Sequence, residues 1–500
     1  VTSARSGRSA EILAELARLR EADAPTHGGR VLSYVYDSGL AELDELAAEA
    51  IRIMQPVNGL DPTTFSSVAA MELGLVRFAR RMLHGNDDVV GTVTSGGTES
   101  CLLAVKTARD VWRSAGGTGT PRLVAPVTAH AAFSKAAHYF GLELDLVPVD
   151  ATGQVDPTRV VERFGPDVAL VVVSAPAYPH ASLDPVAAVA PAAAEAGIAC
   201  HVDACIGGWV LPWWAGTSGD PLPAWDFAVD GVTSISADLH KFGYAPKGAS
   251  VLLQRGRDRQ RAQYFATRRW PGYPVVNATM LGSKSAGALA AAWAIVERLG
   301  EAGFAELAAS CRRSTDTVTA AVREIDGLGV VGSPVGPLFA VATDDSVPEE
   351  RRVDPHHWAD SVREHGWLLQ LQPGLVQSDG TRLPHTTHLT ITPVTESVLP
   401  ELVSALTAAA DEVRGVPAVS ATELAASLPD GFADMLARLG NRTEPLDSAE
   451  ASALLAGLGI GEGQAVLPQR MAPLLALLES LPAPLTERLL IELLAGLVEP

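Results

Sequence analysis

The sequence predicts an α/β protein: a mostly parallel central sheet with helices on both faces, followed by a small C-terminal α+β domain. Three observations predict it. Between about residues 89 and 255, short apolar runs rich in β-branched residues alternate with helical stretches, the pattern of a parallel sheet buried on both faces. From about residue 326 the order becomes strand, strand, helix, and then repeats. The composition, 47% apolar and 19% charged over 500 residues, is globular and leaves room for two or three domains.

Taken in order, residues 1–60 read as a helical arm. "SAEILAELARLREADA" (9–24) and residues 40–55 have helical spacing with an exposed, charged face. "NGLDPTTFSSV" (58–68) is a loop, and a helix is expected from Ala69 to Leu83. A large domain, 61–325, then carries the runs "VVGTV", "RLVAPV", "ELDLVPV", "VALVVVS", "IACHVD" and "GASVLL", with helices at 98–114 and 185–196 and a long helical region at 283–324. A small domain, 326–415, contains "GVVGSP", "PLFAVAT", "LLQLQPG" and "HLTITPV", with helices at 355–365 and 396–413. Residues 416–500 are Ala/Leu-rich, with breaks at "LPDG", "GIGEG" and "LPAPL", and read as an appended set of short helices. No internal repeat is evident.

The net charge of −20 argues against nucleic acid or an anionic membrane as the main partner. An anionic substrate would need a local basic pocket. Four cysteines, Cys101, Cys200, Cys205 and Cys311, show neither CxxC nor zinc spacing, so buried free thiols in a reducing compartment are expected and no metal. No signal segment opens the chain and no apolar run reaches spanning length, which predicts a soluble, cytoplasmic protein.

Several strands end in polar residues. In "TVTSGGTESCLLAVKTARD" (92–110) a strand gives way to a glycine turn and then a helix. Glycines let a ligand approach the backbone, and the first helical amides and the dipole attract anions. Gly97 and Thr98 would hold a phosphate; read alone, the stretch is more simply an ordinary N-cap on Ser95 or Thr98. In "IACHVDACIGGW" (198–209) a buried strand ends at Asp203, whose carboxylate needs a ligand cation or the next turn as partner. His130, in "PVTAHAAFSKAAHYFG", opens a helix and can stack on a ring, move a proton or serve structure alone. "SAPAYPHASLDP" (174–185) places Tyr178 and His180 in a Pro-bounded loop that either lines a pocket or simply turns the chain.

"SISADLHKFGYAPKG" (234–248) displays His240, Lys241 and Lys247 in a stretch that reads as too polar for a core strand and too rich in Gly and Pro for a helix. A lysine desolvated among apolar neighbours is expected to have a lowered pKa and to attack carbonyls; a lone lysine is otherwise a surface charge. An anion cup, a histidine, a strand-end carboxylate and a lysine, in this order, describe a site for pyridoxal 5′-phosphate. Its phosphate would go to Gly97 and Thr98, its ring face to His130, its pyridine nitrogen to Asp203 and its aldehyde to Lys241 as a Schiff base.

"GTVTSGGTES", "SAPAYPHASLDP", "HVDACIGGW" and "SISADLHKFGYAPKG" resemble the sphingosine-1-phosphate lyases, of the group II pyridoxal-phosphate decarboxylase superfamily with fold type I, from about residue 30 to 415. The resemblance implies that Lys241 carries the cofactor, Asp203 faces the pyridine nitrogen, His130 stacks on the ring, and Gly97, Thr98, His240 and Ser236 surround the phosphate. It places Lys247 and Tyr178 near the substrate, and implies a homodimer in which Asn58, Gly282 and Ser283 come from the second chain. The sequence departs from the pattern at Asp61, where the family has a histidine near the substrate entrance, and at Lys284, where it has an arginine; a lysine lacks the planar two-pronged contact of an arginine. The expected activity is carbon–carbon cleavage of a 2-amino-3-hydroxy compound, such as a sphingoid base phosphate. The alternatives are an amino-acid decarboxylase, with Lys284 or Arg268 and Arg269 holding the carboxylate, and a non-catalytic cofactor-binding scaffold.

Overall fold

The computed structural model describes residues 2–214, 221–420, 446–457 and 469–499. Helices α1 (Thr2–Arg20), α2 (Ala41–Met54) and α3 (Ser66–Met82) precede the large sheet. The sheet region then runs β1 (Val89–Thr94), α4 (Gly97–Ser114), β2 (Arg122–Pro126), α5 (Ala132–Phe140), β3 (Glu143–Val147), α6 (Pro157–Val161), β4 (Val168–Ser174), α7 (Val186–Glu195), β5 (Ala199–Asp203), β6 (Val232–Ala237) and β7 (Ser250–Arg255). The strand order is β1-β7-β6-β5-β4-β2-β3. Strands β2 to β6 pair in parallel, and β7 runs antiparallel to both β1 and β6.

Strand β4 explains the unbroken apolar runs. All seven of its residues are buried. Val171 and Val173 face the larger core with Val202, Ile235 and Trp209, while Leu170 and Val172 face α4 and α5 with Leu123 and Phe133. Side chains alternate faces along a strand, so a sheet covered on both sides needs apolar residues at every position.

Strand β6 corrects the sequence reading. Ser234 to Ala237 lie inside this strand and are buried. Polar residues are tolerated there because they have partners: Ser234 Oγ meets His201 Nδ1 at 2.8 Å and Ser236 Oγ meets His201 Nε2 at 3.2 Å. Buried hydroxyls cost little once hydrogen-bonded.

Beyond β7 come α8 (Arg257–Gln263), the hairpin β8 (Phe265–Thr267) and β9 (Val275–Asn277), and α9 (Gly287–Glu324), whose path breaks at Gly300 (φ 56°). The small domain follows with β10 (Leu328–Val330), β11 (Leu338–Thr343), α10 (Pro355–Glu364), β12 (Gln370–Gln372), the hairpin β13 (Leu375–Val376) and β14 (Arg382–Leu383), β15 (Thr386–Thr390) and α11 (Leu399–Val413). Its sheet, β10-β11-β15-β12, is antiparallel throughout. The N-terminal arm joins it: Leu32 donates to Leu368 O and accepts from Thr390 N. Among the described residues, three further helices, Ser448–Gly457, Ala472–Ser480 and Ala483–Gly496, lie in the C-terminal segment. Asp360 of α10 accepts from the amides of Met471 and Ala472 at 2.8 and 2.9 Å, tying this segment to the small domain. The expected breaks "LPDG" and "GIGEG" lie outside the described residues. Among the described residues no helix is long and apolar enough to cross a membrane.

Candidate active site

The carboxyl ends of β5 and β6 meet the start of α4. Gly96 has φ 153° and no side chain caps the helix, so the N-cap reading of Ser95 and Thr98 does not hold. Ser95 instead uses its amide and hydroxyl on Glu99 Oε2, at 2.6 and 2.8 Å. A Cβ on Gly97 would lie 2.5 and 2.8 Å from the two Asp238 carboxylate oxygens and 2.9 Å from Cys205 Sγ, and one on Gly96 would lie 3.1 Å from His240 Cε1. Only glycine lets the first turn of α4 pass this close to the loop after β6.

Lys241 sits in that loop. Its Nζ lies 3.0 Å from Asp238 Oδ2. Burial alone would lower the lysine pKa, but Asp238, with Tyr36, Cys205 and Asp203, raises it well above the ordinary value. This reverses the sequence expectation of a lowered pKa: desolvation was anticipated, the buried carboxylate three residues upstream was not. Asp238 is 1% exposed and its Oδ1 has no hydrogen-bond partner. Its signal was present in the sequence, because a spacing of three residues closes one turn onto the lysine.

Asp203, at the end of β5, is buried. Burial would raise its pKa, yet His130, Lys241, a hydrogen bond with Cys205 and His201 hold it below the ordinary carboxylate value. Its Oδ1 accepts from Cys205 N at 3.0 Å and Ser236 Oγ at 3.3 Å. Ser236 therefore serves Asp203 and is not aimed at the glycine turn as expected. His130 is exposed, and its Nδ1 accepts from Ala132 N at 3.1 Å. Cys101, Asp203 and Cys205 bring three ligand-type atoms within 4.8 Å of one another. The hydrogen bond with Cys101, burial and nearby carboxylates push the Cys205 thiol well up.

The opposite wall holds Tyr178, whose buried hydroxyl has no partner. Its ring stacks on His388 of β15 at 4.1 Å, a contact from the small domain that no local pattern signals. Lys247 Nζ donates to Tyr34 O at 3.1 Å and His240 O at 3.2 Å and lies 4.8 Å over the Tyr36 ring. Desolvation and the Lys241 charge lower its pKa. Burial also lowers His240, whose Nδ1 is unpartnered. Tyr34 and Tyr36 were missed because the arm reads as simple helix and linker.

Asn58, Asp61, Ser283 and Lys284 line an open cleft of about 960 Å³. Gly59 N donates to Lys284 O at 2.7 Å, and Asn58 Oδ1 accepts from Leu60 N at 3.0 Å. Asp61 accepts from the amides and hydroxyls of Thr63 and Thr64, which lowers its pKa to about 2. Its carboxylate is thus committed to the turn before α3. Lys284 Nζ donates to Thr279 Oγ1 at 3.2 Å. Gly282 has open space about its Cα.

Residues 36–324 match the family model described as "Pyridoxal-dependent decarboxylase conserved domain". The chain belongs to the pyridoxal-dependent decarboxylase family. Residues 396–496 match a second model, "Pyridoxal-dependent enzyme, C-terminal putative HTH domain". Among relatives of this family, the sphingosine-1-phosphate lyase of Dictyostelium discoideum is 37% identical over 61% of this chain and 58% of its own length. That of Oryza sativa is 32% identical over 82% of this chain and 74% of its own. The solved sphingosine-1-phosphate lyase of Burkholderia pseudomallei superposes with a TM-score of 0.73 at 32% identity, covering 88% of this chain and 95% of that one. A Lactobacillus brevis glutamate decarboxylase, at 18% identity, shares the fold with a TM-score of 0.70 over 81% of this chain and 93% of its own. The chain spans a little under three fifths of the length of the Dictyostelium and rat lyases, 58% and 59%.

The cofactor of this family is pyridoxal 5′-phosphate, and the residues present fit it. The start of α4 offers amides and a cradle that a Cβ would fill. Buried, unpartnered polar atoms on Tyr178, His240 and Asp238 surround Lys241. An ionised carboxylate, Asp203, stands ready for a ring N–H.

Proposed function

We propose that the chain is a pyridoxal-phosphate-dependent lyase that splits the Cα–Cβ bond of a phosphorylated 2-amino-3-hydroxy compound of the sphingoid base type. The observation that carries this reading is the Lys241 pocket, where one half-buried lysine is accompanied by His240, Lys247 and the unpartnered Tyr178 hydroxyl. The lyase relatives favour it over decarboxylation.

When bound, the cofactor supplies an electron sink for the pair left on Cα. The chain's residues do the rest. Gly97, Thr98 and His240 hold the cofactor phosphate, and His130 covers the ring. Asp203, kept ionised, holds a proton at the pyridine nitrogen. Lys247 and Tyr178 donate to the substrate phosphate, and Lys241 or Lys247 takes the 3-hydroxyl proton. Asn58, Gly282 and Ser283 reach the pocket from a second copy in a homodimer. Four buried free thiols suit a reducing cytoplasm.

The test is a product assay on cofactor-loaded protein. A phosphorylated long-chain 2-amino-3-hydroxy base should give an aldehyde and phosphoethanolamine. Carbon dioxide from an amino acid, with the base untouched, would overturn the reading.

A further inference from the structure

Lys241 has one anionic partner within 4 Å among the described residues, and that partner is Asp238. The carboxylate is held from several sides. Asp238 N donates to Cys205 O, and Lys241 N donates back to Asp238 O. Its oxygens occupy the space that a Cβ on Gly97 would need, and Oδ1 finds no donor. An unpaired buried carboxylate oxygen is costly, so the arrangement persists because the lysine ammonium balances it.

We propose that Asp238 is the resident counter-ion and proton acceptor of Lys241, fixing both the position of Nζ and the pH at which the amine becomes free. The inference rests on the reading of Lys241 as the lysine that captures the cofactor aldehyde. An ammonium has no lone pair with which to attack a carbonyl. For attack, an N–H bond on Nζ breaks and an O–H bond forms on Oδ2. The pair passes from two opposite charges to none, and no charge crosses the protein. When the lysine is later released, the proton returns by the same route.

Other groups face Nζ as well: Asp203 and Cys205 from the end of β5, Cys101 from α4, Tyr36 from the arm, Tyr178 from the loop after β4, and His240 and Lys247 from its own loop. Among the described residues Asp238 alone pairs with it within 4 Å, and its charge outweighs the others.

The test is acetic anhydride labelling of the cofactor-free full chain between pH 7 and 9.5, read by peptide mass spectrometry. Lys106 is the internal reference: it is as exposed as Lys241, and it pairs with Asp110 and the carbonyls at the end of α8. Asp238→Asn should speed Lys241 acetylation at least about tenfold at a fixed pH, the equivalent of one pH unit, with Lys106 unchanged. Asp238→Glu should keep the slow, wild-type profile. Unchanged or slower Lys241 labelling in Asp238→Asn, or a rise shared by Lys106, would overturn the proposal. Should Asp238→Asn fail to fold, the wild-type chain still decides: Lys241 labelling already level across this pH range means a free amine and no counter-ion. Failure of the cofactor assignment would appear separately, as a reduced adduct mapped to another lysine.

Discussion

A buried amine stays charged only where an anion is buried with it, and the Lys241–Asp238 pair sets the character of this pocket. Lys241→Ala should abolish covalent attachment of the cofactor, checked by borohydride reduction. Asp203→Asn should leave cofactor bound but reduce turnover on the order of a hundredfold, since a neutral amide no longer holds the pyridine nitrogen protonated and the electron sink weakens; unchanged turnover would contradict its role. Tyr178 makes a two-sided prediction. Its hydroxyl is buried without a partner, so Tyr178→Phe should leave stability unchanged or raise it by about 1 kcal/mol. The same change should lower kcat/KM for a phosphorylated substrate roughly tenfold, the value of about one hydrogen bond to a charged group. His388, behind it, is held neutral by burial, which takes its pKa down to about 3. The unfolded chain binds a proton below about pH 6.5 that the folded chain refuses, so this residue's contribution to stability falls as pH drops from about 6.5 towards 3. His388→Phe should therefore flatten the acid side of the denaturation profile by about 1.4 kcal/mol per pH unit. Equal slopes in urea titrations of both proteins would refute that.

The elements show what was legible in the sequence and what was not. Strands β4 and β5 announced themselves because both sheet faces are covered and every position is apolar or paired. Strand β6 did not, because its serines are satisfied by His201, a residue of the neighbouring strand that no local window contains. Asp203, Lys241 and the glycine turn were readable as motifs, since each lies where a strand ends. The partner of Asp203 was not: Ser236 was placed at the phosphate, and it belongs to the carboxylate. Helix α4 yields a prediction of its own. Gly97→Ala would set a methyl 2.5 Å from Asp238 Oδ2, which forces the first turn outward at a cost of about 1–3 kcal/mol. Cofactor affinity, read by fluorescence titration, should fall at least tenfold, and undiminished affinity would remove α4 from the phosphate site.

Across the whole molecule, the large sheet supplies the pocket, the small domain closes one wall through His388, and the arm adds Tyr34 and Tyr36. The C-terminal segment docks on the small domain through Asp360. Its family description invokes a helix-turn-helix, yet residues 416–500 carry eleven Asp and Glu against four Arg. Phosphate-backbone binding depends on basic residues, so no anisotropy change is expected with labelled duplex DNA at about 150 mM salt; a salt-sensitive shift would show that the charge argument fails.

The central claim is that Lys241 carries the cofactor, and one measurement addresses it directly. The full chain, loaded with pyridoxal 5′-phosphate and reduced with borohydride, is digested and mapped by mass spectrometry. The predicted result is a single pyridoxyl adduct on Lys241, absent from Lys241→Ala. An adduct on Lys247 or Lys284, or one that survives in Lys241→Ala, would contradict the account.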